Sequence, residues 1–313
     1  MKRLSIVTPC FNEEMNVQVC RDAVRALFDG DLAGYDHEHI FCDNRSTDGT
    51  LSILKDMASR DKHVRIIVNA RNFGIVPSMF NGLLAASGDA VVLLMADLQD
   101  PPEVIPQFVR RWEEGHRIVY GIREKREEGL LTRGMRNAYY RIVSRMSEYH
   151  IPVGACEFGL FDRSVVDILR RCDDHYPYLR GMIPYIGFES ATVGFTWRTR
   201  RGGKSKGHLL HMVDVALNGL TYVNRVPLRL FLFAGLGLSV LSILYAAINF
   251  AWGLIFYQEV TSPGIVTLIV ALFFFSGVQL FMLGVIAEYI GSIHRQVRRL
   301  PLVVEDERIN FDA

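Results

Sequence analysis

The chain has 313 residues, half of them hydrophobic, and a formal net charge of +1. That length suits one sizeable α/β domain with an appendage, and the near-neutral balance excludes a general polyanion binder, so no nucleic-acid partner is expected. Cys10, Cys20, Cys42, Cys156 and Cys172 are odd in number and lack any C-x-x-C spacing, which favours reduced thiols packed in the core over a disulfide framework or a zinc site.

Met1-Lys2-Arg3 leads into Leu4-Ser5-Ile6-Val7, an apolar run too short for a signal peptide, so the amino terminus is expected to stay in the cytosol. Four apolar segments rich in β-branched residues, 4–8, 39–42, 64–68 and 90–94, alternate with stretches patterned as amphipathic helices. This is the signature of a parallel sheet with crossover helices. Asn12-Glu13-Glu14 and Ser46-Thr47-Asp48 signal helix starts, Pro101-Pro102 opens a helix ending near Gly115, and a further strand is predicted over 117–121.

Ligands of an open α/β sheet sit beyond the carboxyl ends of the strands, which makes the following segments informative. Here they are polar and acidic: Thr8-Pro9-Cys10-Phe11-Asn12-Glu13, then Asp43-Asn44-Arg45-Ser46-Thr47-Asp48-Gly49-Thr50, Asn69-Ala70-Arg71-Asn72-Phe73-Gly74, and Asp97-Leu98-Gln99-Asp100-Pro101-Pro102. Carboxylates such as Asp43 and Glu13 can accept hydrogen bonds from a nucleoside base or ribose. The plainer reading of Asp43 and Asp48, shaping a turn and capping a helix, stays open.

Residues 230–257 and 260–287 contain no Asp, Glu, Lys or Arg. A helix over either run is about 42 Å long, more than the roughly 30 Å hydrocarbon core, so each can cross a bilayer with some tilt. A pair of buried core helices is the alternative. Arg225 and Arg229 precede the first run, Arg295, Arg298 and Arg299 follow the second, and the turn near Gln258-Glu259 has no basic residue. The positive-inside rule then puts both outer ends in the cytoplasm.

The four polar turns, in this order and spacing, resemble the family 2 glycosyltransferases. With the carboxy-terminal hairpin, the chain resembles the polyprenyl-phosphate group of that family, which includes the bactoprenol glucosyltransferases and dolichol-phosphate mannose synthase. The resemblance runs to about Leu300. It implies an α/β nucleotide-diphospho-sugar transferase (Rossmann-like) domain, interfacial amphipathic helices over 130–149 and 208–224, and a two-helix transmembrane hairpin.

The resemblance also implies the chemistry. Pro9, Phe11, Glu13, Asp43, Ser46 and Ala96 would bind the donor nucleotide, and Asp97 and Gln99 would hold Mg2+ or Mn2+. Asp97 and Glu157 would be catalytic. Asp100 is either a substitute metal ligand or a helix cap. Gly154-Ala155-Cys156-Glu157-Phe158-Gly159-Leu160-Phe161-Asp162-Arg163 is similar to the family's G-D-F-R-L-M-D-R segment, with Glu157 in place of the candidate base and Gly159 in place of an arginine. Met95 replaces an acidic residue of the family's D-x-D-x-Q. Arg200-Arg201-Gly202-Gly203-Lys204-Ser205-Lys206 resembles R-x-x-G-x-S-K, and Arg123, Arg200, Ser205 and Lys206 would hold the acceptor phosphate.

The resulting expectation is inverting transfer of a sugar from a nucleotide-sugar donor, UDP-hexose, to a polyprenyl-phosphate lipid at the cytoplasmic face of the inner membrane, with a homo-oligomer left open. Its parts are 1–125 for the donor, 126–226 for the acceptor site and membrane surface, 227–290 for two membrane helices, and 291–313 for a cytoplasmic tail. A processive polysaccharide synthase shares only the first half and has a Q-x-x-R-W motif absent here. A catalytically weak, membrane-tethered nucleotide-sugar binder is the other rival, motivated by Met95, Glu157 and Gly159.

Overall fold

The computed structural model describes residues 1–125, 154–172, 177–198 and 264–311, with Pro152, Asp174 and isolated helical positions within 233–248. The chain forms two compact units, one comprising residues 1–222 with 299–313, the other residues 223–298.

In the first unit, β1 (Arg3–Cys10), α1 (Val17–Asp29), β2 (Asp36–Asp43), α2 (Thr50–Arg60), β3 (Val64–Asn69), α3 (Ile75–Ala85) and β4 (Ala90–Leu93) alternate as the hydrophobic pattern predicts. A 3-10 turn (Pro102–Val104) leads into α4 (Ile105–Glu113) and β5 (Ile118–Lys125); then come β6 (Ala155–Asp162), α5 (Arg163–Arg171), α6 (Leu179–Tyr185) and β7 (Ser190–Thr196). The eight-stranded sheet has the order β7-β5-β6-β4-β1-β2-β3-β8, in which β8 is Glu305–Ile309.

Strand alternation builds a core on both faces. Leu4 and Ile6 of β1 point to the cluster that holds Val24 and Phe28 of α1 and Phe108 and Trp112 of α4. Val7 points the other way, to Met79 and Leu83 of α3 and to α5 and α6. This period of two is what sorts a buried strand between two helical layers. Four of the five cysteines are buried and free, as core packing requires, while Cys172 is free but exposed.

The sheet is mixed, which corrects the expectation of a parallel one. β4, β1, β2 and β3 are parallel, but β6 runs antiparallel between β4 and β5, and β8 antiparallel along β3. The parallel pattern was legible because each crossover supplies a helix. β6 enters after a long excursion, and its core-facing residues do not alternate cleanly with polar ones.

β8 lies in the segment read as a polar tail. Its pairing covers the β3 edge, which would otherwise present unpaired backbone groups. Lys55 and Arg45 meet Glu307 and Asp306 at 2.6 Å each, and Asn310 donates to the carbonyls of Ala58 and Val64.

In the second unit, α7 spans Gly264–Val297 and is the one helix among the described residues long and apolar enough to cross a membrane. The first apolar run is described only at isolated helical positions, and the interfacial helices expected over 130–149 and 208–224 lie outside the described residues.

Candidate active site

Four loops leave the carboxyl ends of the parallel strands, and each contains a residue in the left-handed region: Asn12 at φ 56°, Arg45 at 62°, Gly74 at 96° and Leu98 at 53°. For the three that are not glycine this conformation costs of order 1 kcal/mol or more, and such strain collects at functional sites where surrounding contacts enforce it.

Those contacts are present. The Asn12 carboxamide accepts from Thr47 N–H at 2.8 Å, Asn12 N–H donates to Ser46 Oγ at 3.0 Å, and Glu13 N–H donates to Thr50 Oγ1 at 2.8 Å. Asn44 reaches the next loop, accepting from Phe73 N–H at 3.0 Å and donating to the Gly74 carbonyl at 2.9 Å. The first three loops thus form one stitched cradle. Asp48 accepts from the N–H and hydroxyl of Thr50, an Asx turn just before α2, whose N-cap position is Gly49.

Cys10 and Asp43 end β1 and β2 side by side, one residue beyond the pair Pro9 and Cys42. The Asp43 carboxylate accepts Ser46 N–H at 3.1 Å and Ser46 Oγ–H at 2.5 Å. Burial pushes its carboxyl above the usual range, against the pull of the Ser46 hydrogen bonds. Glu13 accepts from Asn16 at 2.6 Å, Phe11 is half-buried in the same loop, and Ala96 is buried beyond β4.

A raised folded-state pKa means that the ionised Asp43 costs stability above that pKa, and the cost is relieved as pH falls through it. Asp43→Asn should therefore leave the thermal midpoint at pH 7 unchanged or higher. If Asp43 accepts from an N–H or O–H of the expected nucleotide, nucleotide affinity in Asp43→Asn should fall about tenfold or more, the scale of a charge-assisted hydrogen bond. Calorimetry of melting and titration with nucleoside diphosphates on one sample checks both; unchanged affinity would leave Asp43 a turn-former.

Beyond β4, Asp97 and Gln99 are half-buried and Asp97 Oδ1 accepts Gln99 N–H at 3.2 Å. Met95 is half-buried against the hydrophobic cluster of α3, α5 and α6. Asp100 is buried and does not cap the following turn; its carboxylate takes both arms of Arg123 at 3.0–3.2 Å. Burial pushes Asp100 up and Arg123 opposes it. Arg123 also stands 5.3 Å from the Trp197 ring.

The loop is tied to the strand after it in space. Arg198 N–H donates to the Gln99 carbonyl at 3.0 Å, so the chain entering the 200–206 segment starts beside the Asp97 loop. Arg200, Ser205 and Lys206 themselves lie outside the described residues.

Glu157 arrives from the opposite direction. Leu93 of β4 pairs with Gly159 of antiparallel β6, so Glu157 lies beyond the β4 carboxyl end, alongside the residues that lead to Asp97. Its carboxylate is held by Arg180 of α6, with Nε donating to Oε1 at 2.7 Å and Nη2 to Oε2 at 2.9 Å. Burial pushes this carboxyl up, but the Arg180 guanidinium outweighs it and holds Glu157 below the ordinary carboxylate range. Sequence reading missed Arg180: in Tyr178-Leu179-Arg180-Gly181 no spacing links it to a carboxylate 23 positions earlier, and only the fold of α6 over β6 does so.

Comparison with known proteins identifies the family. Residues 5–169 match glycosyl transferase family 2, and residues 226–293 match the GtrB C-terminal hairpin. The uncharacterized glycosyltransferase YkcC of Bacillus subtilis is 34% identical over 96% of this chain and 92% of its own. The SfII prophage-derived bactoprenol glucosyl transferase of Shigella flexneri is 34% identical over 96% of each chain. Glucosyl-3-phosphoglycerate synthase from Mycobacterium tuberculosis, solved with Mn2+, UDP-glucose and glycerol 3-phosphate, is 21% identical over 70% of this chain and 78% of its own, at a TM-score of 0.46. With a family 2 domain over more than half its length, a GtrB-type hairpin after it and full-length relatives of the same architecture, this membrane-associated chain belongs to glycosyltransferase family 2.

Proposed function

We propose that this glycosyltransferase moves a hexose from a UDP-sugar to polyprenyl (undecaprenyl) phosphate at the cytoplasmic membrane face, inverting the anomeric centre. The observation that carries the reading is the convergence of the stitched donor cradle, the Asp97 loop and Glu157 on one edge of the sheet. The name of the Shigella relative, a bactoprenol glucosyl transferase, supports a polyprenyl acceptor and a glucosyl donor.

Asp97 and Gln99 would hold Mg2+ or Mn2+. A carboxylate and an amide offer hard oxygen donors suited to either ion, which keep several positions for phosphate and water. When bound, it would supply charge to the departing diphosphate.

The protein's own groups orient the rest. Asp43, Ser46 and Glu13 would hold the nucleoside, and Arg200, Ser205 and Lys206, with Arg123 oriented by Asp100, the lipid phosphate. A phosphate monoester with a second pKa near 6 is already largely dianionic at neutral pH. Glu157, kept ionised by Arg180, would therefore orient the attacking oxygen through the Arg180 guanidinium, the partner in the pair with N–H to donate, rather than take a proton from it. Residues 299–313 belong to the same compact unit as 1–222, so the chain that leaves this unit before the hairpin returns to it afterwards. That supports two crossings, with the catalytic unit and both termini in the cytoplasm.

Detergent-solubilised protein should release UDP from UDP-glucose only when undecaprenyl phosphate and a divalent cation are present. Testing UDP-galactose, UDP-N-acetylglucosamine and GDP-mannose beside it fixes the donor. Binding of UDP-sugars without any release of UDP would replace this reading by that of a nucleotide-sugar-binding subunit.

A further inference from the structure

The resemblance sets Gly159 where the family segment has an arginine, and the backbone shows why no side chain fits. A Cβ at 159 would lie 2.6 Å from the Val119 carbonyl oxygen of paired β5, and one at Gly121 would lie 2.6 Å from the Phe158 carbonyl oxygen. Both obstacles are backbone atoms of neighbouring strands at a register shift between Tyr120 and Ile122. The two glycines let β5 and β6 approach closely, and an arginine at 159 would require the strands to separate.

The cation comes instead from another element. Arg180 extends from α6, a helix anchored by buried Leu179, Met182 and Ile183, and grips both oxygens of Glu157. Two parallel N–H···O bonds fix the plane of a carboxylate as well as its position, which lysine as a point charge does not do. Glu has one more rotatable bond than the Asp of the family pattern, and the fork removes that added freedom.

We propose that Arg180 is the positioning residue for Glu157, supplying from α6 the cation that β6 cannot carry at position 159. This rests on the reading of Glu157 and its guanidinium partner as the pair that orients the acceptor phosphate. Among the described residues, the other charged or titratable groups that interact with Glu157 include Arg123 of β5, whose guanidinium is committed to Asp100, Asp100 itself, and the buried thiol of Cys156. Arg180 makes the bidentate contact.

The test uses the full-length protein and the Arg180→Gln and Arg180→Lys variants. With UDP-glucose and undecaprenyl phosphate, kcat should fall at least about tenfold in Arg180→Gln while the KM for UDP-glucose stays within twofold, and Arg180→Lys should recover only part of the loss. Water-soluble carbodiimide reacts with protonated carboxyls, so the pH at which Glu157 becomes half-labelled, read by peptide mass spectrometry, should rise in Arg180→Gln. That measurement needs no substrate. A wild type that labels as expected but turns over no donor would sink the acceptor reading and leave the Arg180–Glu157 link standing. An unshifted labelling midpoint, or equal kcat losses in both variants with a parallel rise in KM, would overturn the proposal.

Discussion

Asp97→Ala should reduce turnover about 100-fold or more, roughly 2.7 kcal/mol of transition-state stabilisation, and excess chelator should do the same to the unmodified protein. The expectation follows from how little else is available among the described residues of this edge. Asp100 is committed to Arg123, Met95 faces the core, and Asp97 with Gln99 supplies the oxygen donors of the loop. With so few oxygen donors among the described residues of this edge, losing one carboxylate would remove a large share of a bound cation's protein ligands. The half-buried position of Asp97 argues that the fold survives, so the loss should appear in kcat at saturating UDP-glucose and not in the melting temperature. Retention of more than about a tenth of the rate, in the variant or in chelator, would remove the metal role from Asp97.

The donor half of the molecule was legible because each of its features is local. β1 to β4 announce themselves as β-branched runs, and the segments that follow them gather at one edge because parallel strands point the same way. The acceptor side is not local. β6 runs against its neighbours, so Glu157 reaches the site near the beginning of its strand rather than beyond the end, and nothing in the spacing of 154–163 reveals the reversal. Arg180 and Arg198 become site-edge residues only through contacts made 23 and 99 positions away. Even the glycine at 159, legible as a departure from the family pattern, acquires its reason only from the carbonyl of Val119. β8 is hidden for a related cause: five residues rich in charge read as a solvated tail, and only the vacant edge of β3, with Lys55 and Arg45 beside it, selects them as a strand.

Glu157→Gln separates charge from shape. Glutamine keeps the length of the side chain and can still accept from Arg180 through its amide oxygen, but its amide nitrogen faces the second arm of the guanidinium and cannot accept from it. If the carboxylate orients the acceptor oxygen through Arg180, kcat should fall about 100-fold or more, within the range of roughly 10²–10⁴ for acid–base and positioning groups, with the affinity for UDP-glucose nearly unchanged. The pH dependence sharpens the prediction. Arg180 holds the Glu157 carboxyl below its usual value, so its ionised form is fully present at neutral pH and is lost only when pH falls through that lowered pKa. Of Glu157 and the lipid phosphate, the phosphate protonates first on acidification, near pH 6. Wild type and Glu157→Gln should accordingly share the same acid limb and differ in plateau height, since Glu157 does not set the limb. A limb that disappears in the variant would make Glu157 a titrating base, and an unchanged plateau would remove it from the reaction altogether.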